Sequence, residues 1–142
     1  MLNFVFLTNE FYTDYAQCKE IVQKQSRPFV QVQIVIDGCL YCVPLRSNVS
    51  HQYVLWTDKA NSCGLDFTKT VVVLDSARYI DNTNTPHIRS NEFNALRGKE
   101  HIIETRLIKY IKDYKEAKKR MDRPRNKMLV KFSALQYFEE YL

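Results

Sequence analysis

The stretch Phe29-Val30-Gln31-Val32-Gln33-Ile34-Val35-Ile36-Asp37-Gly38-Cys39-Leu40-Tyr41-Cys42-Val43-Pro44 decides the fold class. Apolar and polar residues alternate with period two before Asp37-Gly38, the dipeptide favoured in two-residue type I′ turns because both positions need positive φ. A second apolar run follows and closes on Pro44. The expectation is an antiparallel hairpin with one face toward a core.

Working outward, residues 2–8 are apolar enough for a short strand, and Thr8 or Asn9 can cap a helix over about Glu10–Gln23, where Phe11, Tyr15, Cys18 and Val22 recur at helical spacing. Lys69–Leu74 reads as a buried strand, and Ser90 as the cap of a short helix ending at Gly98. The spacing of Ile103, Leu107, Tyr110, Ile111 and Tyr114 predicts a long helix from His101 to about Arg120, stopped by Arg123-Pro124-Arg125. Met128–Phe132 is expected as a strand, and Ser133-Ala134-Leu135-Gln136 has the spacing of a capping box for a last helix. This order of elements predicts a single α+β domain over residues 1–142 in which a small, strongly bent antiparallel sheet, or partial barrel, is flanked by helices. A chain of 142 residues is long enough to build one core.

Charge is unevenly distributed. Between Arg97 and Lys131 thirteen Lys/Arg face five Asp/Glu, whereas the remainder has eight against eleven. Such a field attracts a polyanion, most simply nucleic acid, through counterion release; a solvated helix face is the plainer alternative. The N-terminus lacks the basic region of a signal peptide and no segment is long enough to span a membrane, so a cytoplasmic location with reduced thiols is expected for Cys18, Cys39, Cys42 and Cys63. Cys39 and Cys42 have the spacing of half a zinc site, but three positions apart on a strand they leave opposite faces, and no metal or other cofactor is expected.

Directly after the hairpin, Arg46, Ser47, Asn48, Ser50 and His51 place a cation, hydroxyls, an amide and an imidazole within six residues. Metal-free RNA cleavage needs such groups: one to deprotonate or orient the ribose 2′-hydroxyl, one to stabilise a phosphorane, and one to protonate the leaving 5′-oxygen. A Pro-x-x-Ser-Asn run is also ordinary turn chemistry, so the residues alone leave both readings open.

The ordered pattern Arg27-Pro28-Phe29, strand, Asp37-Gly38, strand, Pro44-Leu45-Arg46-Ser47-Asn48, then His51 and Tyr53, resembles the type III toxin-antitoxin endoribonucleases. It is most similar to the CptN and TenpN branch, with ToxN and AbiQ more distant. Gly64-Leu65-Asp66-Phe67-Thr68-Lys69, Lys109-Tyr110-Ile111 and Phe132-Ser133-x-Leu135 extend the similarity along nearly the whole chain. The resemblance implies a curved sheet like that of the Kid and MazF toxins and a sequence-preferring endoribonuclease leaving a 2′,3′-cyclic phosphate on cellular or phage mRNA. It also implies an inhibitor that is a repeated pseudoknot RNA, processed and held in a protein-RNA hetero-oligomer.

Ser47 matches the family's serine at the scissile phosphate and Arg27 a basic residue entering the site. Where the ToxN branch has threonine before that serine and Pro-Lys after it, this chain has Arg46 and Asn48-Val49, and the lysine is missing. The expected roles are Ser47 orienting the 2′-hydroxyl or phosphate, Arg27 and Arg46 stabilising the phosphorane, and His51 as general acid or base. Tyr12, Asn48 and Tyr53, with Lys109, Lys112, Lys115, Lys118 and Lys119 on the long helix, are the expected RNA contacts. The competing class is a non-catalytic RNA-binding regulatory module, in which Ser47 and His51 only touch phosphate. A zinc-stabilised domain is the third reading.

Overall fold

The computed structural model describes residues 2–23 and 28–142. The predicted hairpin is formed by β2 (Gln31–Ile36) and β3 (Cys39–Arg46), paired from Ile36–Cys39 to Gln31–Pro44. Asp37 and Gly38 have φ of 50° and 77°, the positive pair that the turn requires. β1 (Asn3–Leu7) pairs with β2, and β7 (Ile80–Asp81) with β1. The free side of β3 is shared by two short strands, β5 (Cys63–Asp66) and β6 (Val71–Val72), and β4 (Val54–Asp58) pairs with β5.

All pairings are antiparallel and the seven strands run in the order β4-β5-β3-β2-β1-β7, with β6 on the side of β3. The α+β class holds. The strongly curved partial barrel does not: the sheet is open and not strongly curled, with β4 at one edge and β7 at the other. Closure needs edge strands long enough to pair across the gap at a common tilt and stagger. Here β7 offers two residues, and α3 (Ser90–Leu96) covers β4, where Thr57 Oγ1 donates to Glu92 Oε2 at 2.5 Å.

The helices depart from expectation at their ends. Thr8 caps α1 (Asn9–Asp14) as predicted, its hydroxyl accepting from Phe11 N–H, but the helix stops at Asp14 rather than continuing to Gln23. The Gln23 amide donates to the carbonyls of Tyr15, Cys18 and Ile21, which holds this segment in turns; the apolar spacing survives as a stack of Phe11 on Tyr15, 4.6 Å between centroids. Arg89, not Ser90, holds the N-cap position of α3.

The long helix is α4 (Glu100–Lys119), burying Ile103, Leu107, Tyr110, Ile111, Tyr114 and Ala117. The expected strand at 128–132 is instead α5 (Pro124–Phe132), because Pro124 at the first turn is preorganised for a helix and a short apolar run has no decisive period. The last segment forms 3₁₀ turns at Ala134–Tyr137 and Glu139–Tyr141. Ser133 accepts from Leu135 N–H, but the Gln136 amide reaches the carbonyls of Val130, Lys131 and Ser133 instead of completing a capping box.

Candidate functional site

The strand expected over Lys69–Leu74 is shortened to Val71–Val72, and the turn just before it builds the site. Leu45 faces Leu65 whereas Cys42 faces Val71. Three steps along β3 thus correspond to six on its partner. The three surplus residues are the 3₁₀ turn Phe67–Lys69, extruded between β5 and β6. Asp66 caps that turn, its Oδ1 accepting from Thr68 N–H at 3.0 Å and Thr68 Oγ1 at 2.6 Å. The carboxylate has no exposed surface and also takes Arg46 Nη1 on Oδ2 at 2.6 Å and His51 Nε2 on Oδ1 at 3.0 Å.

Burial alone would raise the Asp66 pKa, but hydrogen bonds from His51, Thr68 and Arg46 and the charge of His51 outweigh it, and the net displacement is downward. His51 Nδ1 accepts Tyr53 N–H at 3.0 Å, so the proton of the neutral ring lies on Nε2, toward Asp66. Both ring nitrogens are therefore occupied by the protein. The Arg46 Nε is buried and has no partner among the described residues.

Arg46 and Ser47 are at the same rim. β3 ends at Arg46, and the bend beyond it exposes Ser47 and Asn48, the latter in the left-handed region at φ 58°. Buried Val49 pins the bend by donating its N–H to Ser62 O at 3.0 Å. The Ser47 hydroxyl has no hydrogen bond among the described residues, to Arg46 and His51 included, and is open to solvent.

Lys69 supplies a cation that sequence reasoning missed. Burial pushes its pKa down, the charge of Asp66 opposing this and that of Arg46 adding to it. Its Nζ donates to Phe132 O at 2.9 Å. Asp66, Thr68 and Lys69 carried one readable signal: an Asp-x-Thr in an apolar run, the spacing of a side-chain-capped turn. Which partners the carboxylate would meet required β5 to be laid against β3.

The remaining predicted residues are dispersed. Tyr12 is buried, its hydroxyl pushed up to about 12 by burial, so its ring belongs to the core rather than to a stacking platform. Tyr53 is half-buried beside His51, with ring centroids 6.1 Å apart. Lys109, Lys112, Lys115, Lys118 and Lys119 are all exposed on α4, but Lys109 pairs with Asp113, Lys118 with Glu139 and Lys119 with Glu116, and Lys115 donates to Leu142 O. Arg27 lies outside the described residues.

Cys39 is half-buried and Cys42 buried on β3, and burial pushes the Cys42 thiol up to about 12. No group of three or more His, Cys, Asp and Glu among the described residues is arranged to hold a metal ion. No helix among them is long and apolar enough to cross a membrane. Compared with protein-family models, with curated proteins and with solved structures, the chain has no match in any of the three.

Proposed function

We propose that this chain is an endoribonuclease that cuts RNA by 2′-hydroxyl attack without a metal, as the toxin of a type III toxin-antitoxin pair restrained by its own pseudoknot RNA. The observation that carries the reading is the buried Asp66, which binds both Arg46 and His51, the residues on either side of the exposed Ser47-Asn48 bend in the chain. In this reading Ser47 orients the 2′-hydroxyl against the phosphate. Arg46 stabilises the negative charge that accumulates as the 2′-oxygen bonds phosphorus. The bond from phosphorus to the 5′-oxygen then breaks, and water protonates the leaving oxygen. His51 takes the 2′-hydroxyl proton on Nδ1 by exchanging Tyr53 N–H for substrate. The products are a 2′,3′-cyclic phosphate and a free 5′-hydroxyl.

One observation favours a second reading, a non-catalytic RNA-binding regulatory module: in the free protein both His51 nitrogens are engaged, and the ring holds Asp66. Incubating the purified protein with single-stranded RNA in excess chelator separates the two. The nuclease reading expects cyclic-phosphate termini, lost in Ser47→Ala and reduced about 10²–10⁴-fold in His51→Ala. Binding without cleavage, or cleavage indifferent to Ser47, ends it.

A further inference from the structure

Next to His51, on the α4 side of Tyr53, lies a cavity of about 330 Å³ that none of the proposed chemistry uses. The volume is at the lower end of the roughly 300–1,000 Å³ typical of small-molecule sites. Its lining combines two chemistries. Tyr53, Phe67 and Tyr110 give it an aromatic side: Tyr110 stands edge-on to Tyr53 with centroids 5.6 Å apart and stacks on Phe67 at 6.3 Å. Phe67 and Tyr110 are buried, whereas Tyr53 is half-buried and retains surface to offer.

The other side is cationic. Arg106 is held in place by donating Nη2 to Val54 O at 3.0 Å and by lying over the Phe67 ring, 5.7 Å from its centroid. Arg125 enters from α5, exposed and without an acidic partner among the described residues. Lys109 and Asp113 also line the cavity but neutralise one another at 2.7 Å. The lining thus combines aromatic rings with two positive charges that have no carboxylate partner among the described residues, which matches a planar heteroaromatic ring joined to a phosphate better than it matches an apolar metabolite.

We infer that this cavity is a nucleotide subsite, in which one base stacks against Tyr53 and its phosphate lies between Arg106 and Arg125. That the nucleotide is part of an RNA strand continuing past His51 to the Ser47 bend rests on the cleavage reading; the binding of a nucleotide does not. In an RNA substrate the subsite would choose the base flanking the cut.

The four ribonucleoside 5′-monophosphates test this on the intact protein by titration calorimetry, since none contains a bond that the proposed reaction could break. At least one nucleotide should bind no less than tenfold more tightly than inorganic phosphate. Tyr53→Leu should weaken it roughly five- to a hundred-fold, the range for a base losing its aromatic partner, and the exposed Arg125→Gln should weaken both the nucleotide and phosphate. Absence of nucleotide binding, or an affinity unchanged in Arg125→Gln, overturns the inference even if Tyr53→Leu fails to fold. A protein that binds nucleotides in this way but cuts no RNA retains the subsite and ends the cleavage reading. Ser47-dependent cleavage with no nucleotide binding does the reverse.

Discussion

Asp66 is a carboxylate without exposed surface that accepts hydrogen bonds from three side chains and one backbone N–H. Removing one member of such a buried arrangement leaves the others uncompensated, at a cost of about 3–5 kcal/mol. Asp66→Asn should therefore lower the unfolding free energy by about 3 kcal/mol near neutral pH, the low end because Arg46 and His51 keep some contact with water. Its folded-state pKa lies below the unfolded value of about 3.9, so this stabilisation is present above that value and lost as pH falls through the folded one. Urea unfolding of both proteins should show a gap that is constant from neutral down to mild acidity and closes below about pH 4. A gap absent at neutrality, or unchanged in strong acid, contradicts the assignment. At this scale Arg46, Ser47, Asn48 and His51 were legible because four polar groups follow a hairpin at once. Asp66 and Lys69 were not, because Asp66 meets Arg46 and His51 from twenty and fifteen positions earlier and Lys69 meets Phe132 from sixty-three positions later.

Among the elements, β4 and β5 approach so closely at Gly64 that no side chain fits there. A Cβ on Gly64 would lie 2.5 Å from Leu55 O and 2.7 Å from Val54 Cγ2, so only glycine allows the two strands to approach this closely. Gly64→Ala must push β4 outward, with an expected cost of about 1–3 kcal/mol that a thermal melt would record as a lower midpoint. Because Gly64 faces Arg46 and stands two residues before Asp66, the same variant should also lower any Ser47-dependent cleavage. A variant as stable as the parent would show that the strands have slack. The Asp37-Gly38 hairpin was readable because local backbone geometry alone dictates its turn. The 3₁₀ turn at Phe67–Lys69 was not, since nothing local says that three residues are surplus until two strands compete for one edge of β3.

Across the whole molecule the basic third of the chain divides into charges already neutralised and charges still available. Lys109, Lys118 and Lys119 have carboxylate partners, whereas Lys112, Arg123, Arg125 and Lys127 have none among the described residues. Arg123, Arg125 and Lys127 belong to the first turns of α5 or its N-cap, and Arg125 lines the cavity together with Arg106. Measured as affinity against salt concentration, single-stranded RNA binding should fall with a slope of about 0.7 per phosphate contacted. Arg123→Gln with Lys127→Gln should reduce that slope by about 1.4, while Lys119→Gln should leave it unchanged. A flat response in the parent protein would return this surface to simple solvation.

By itself the sequence determined the α+β class, the central hairpin, the long basic helix and the polar cluster after Arg46, all of which follow from turn chemistry, periodicity and charge within short windows. Only the tertiary structure decided that the sheet stays open, that 128–132 is helical, that Tyr12 belongs to the core, and that Asp66 binds Arg46 and His51. Those outcomes depend on which strand edges and apolar faces meet. That competition is settled between segments distant in the chain, where no local pattern records it.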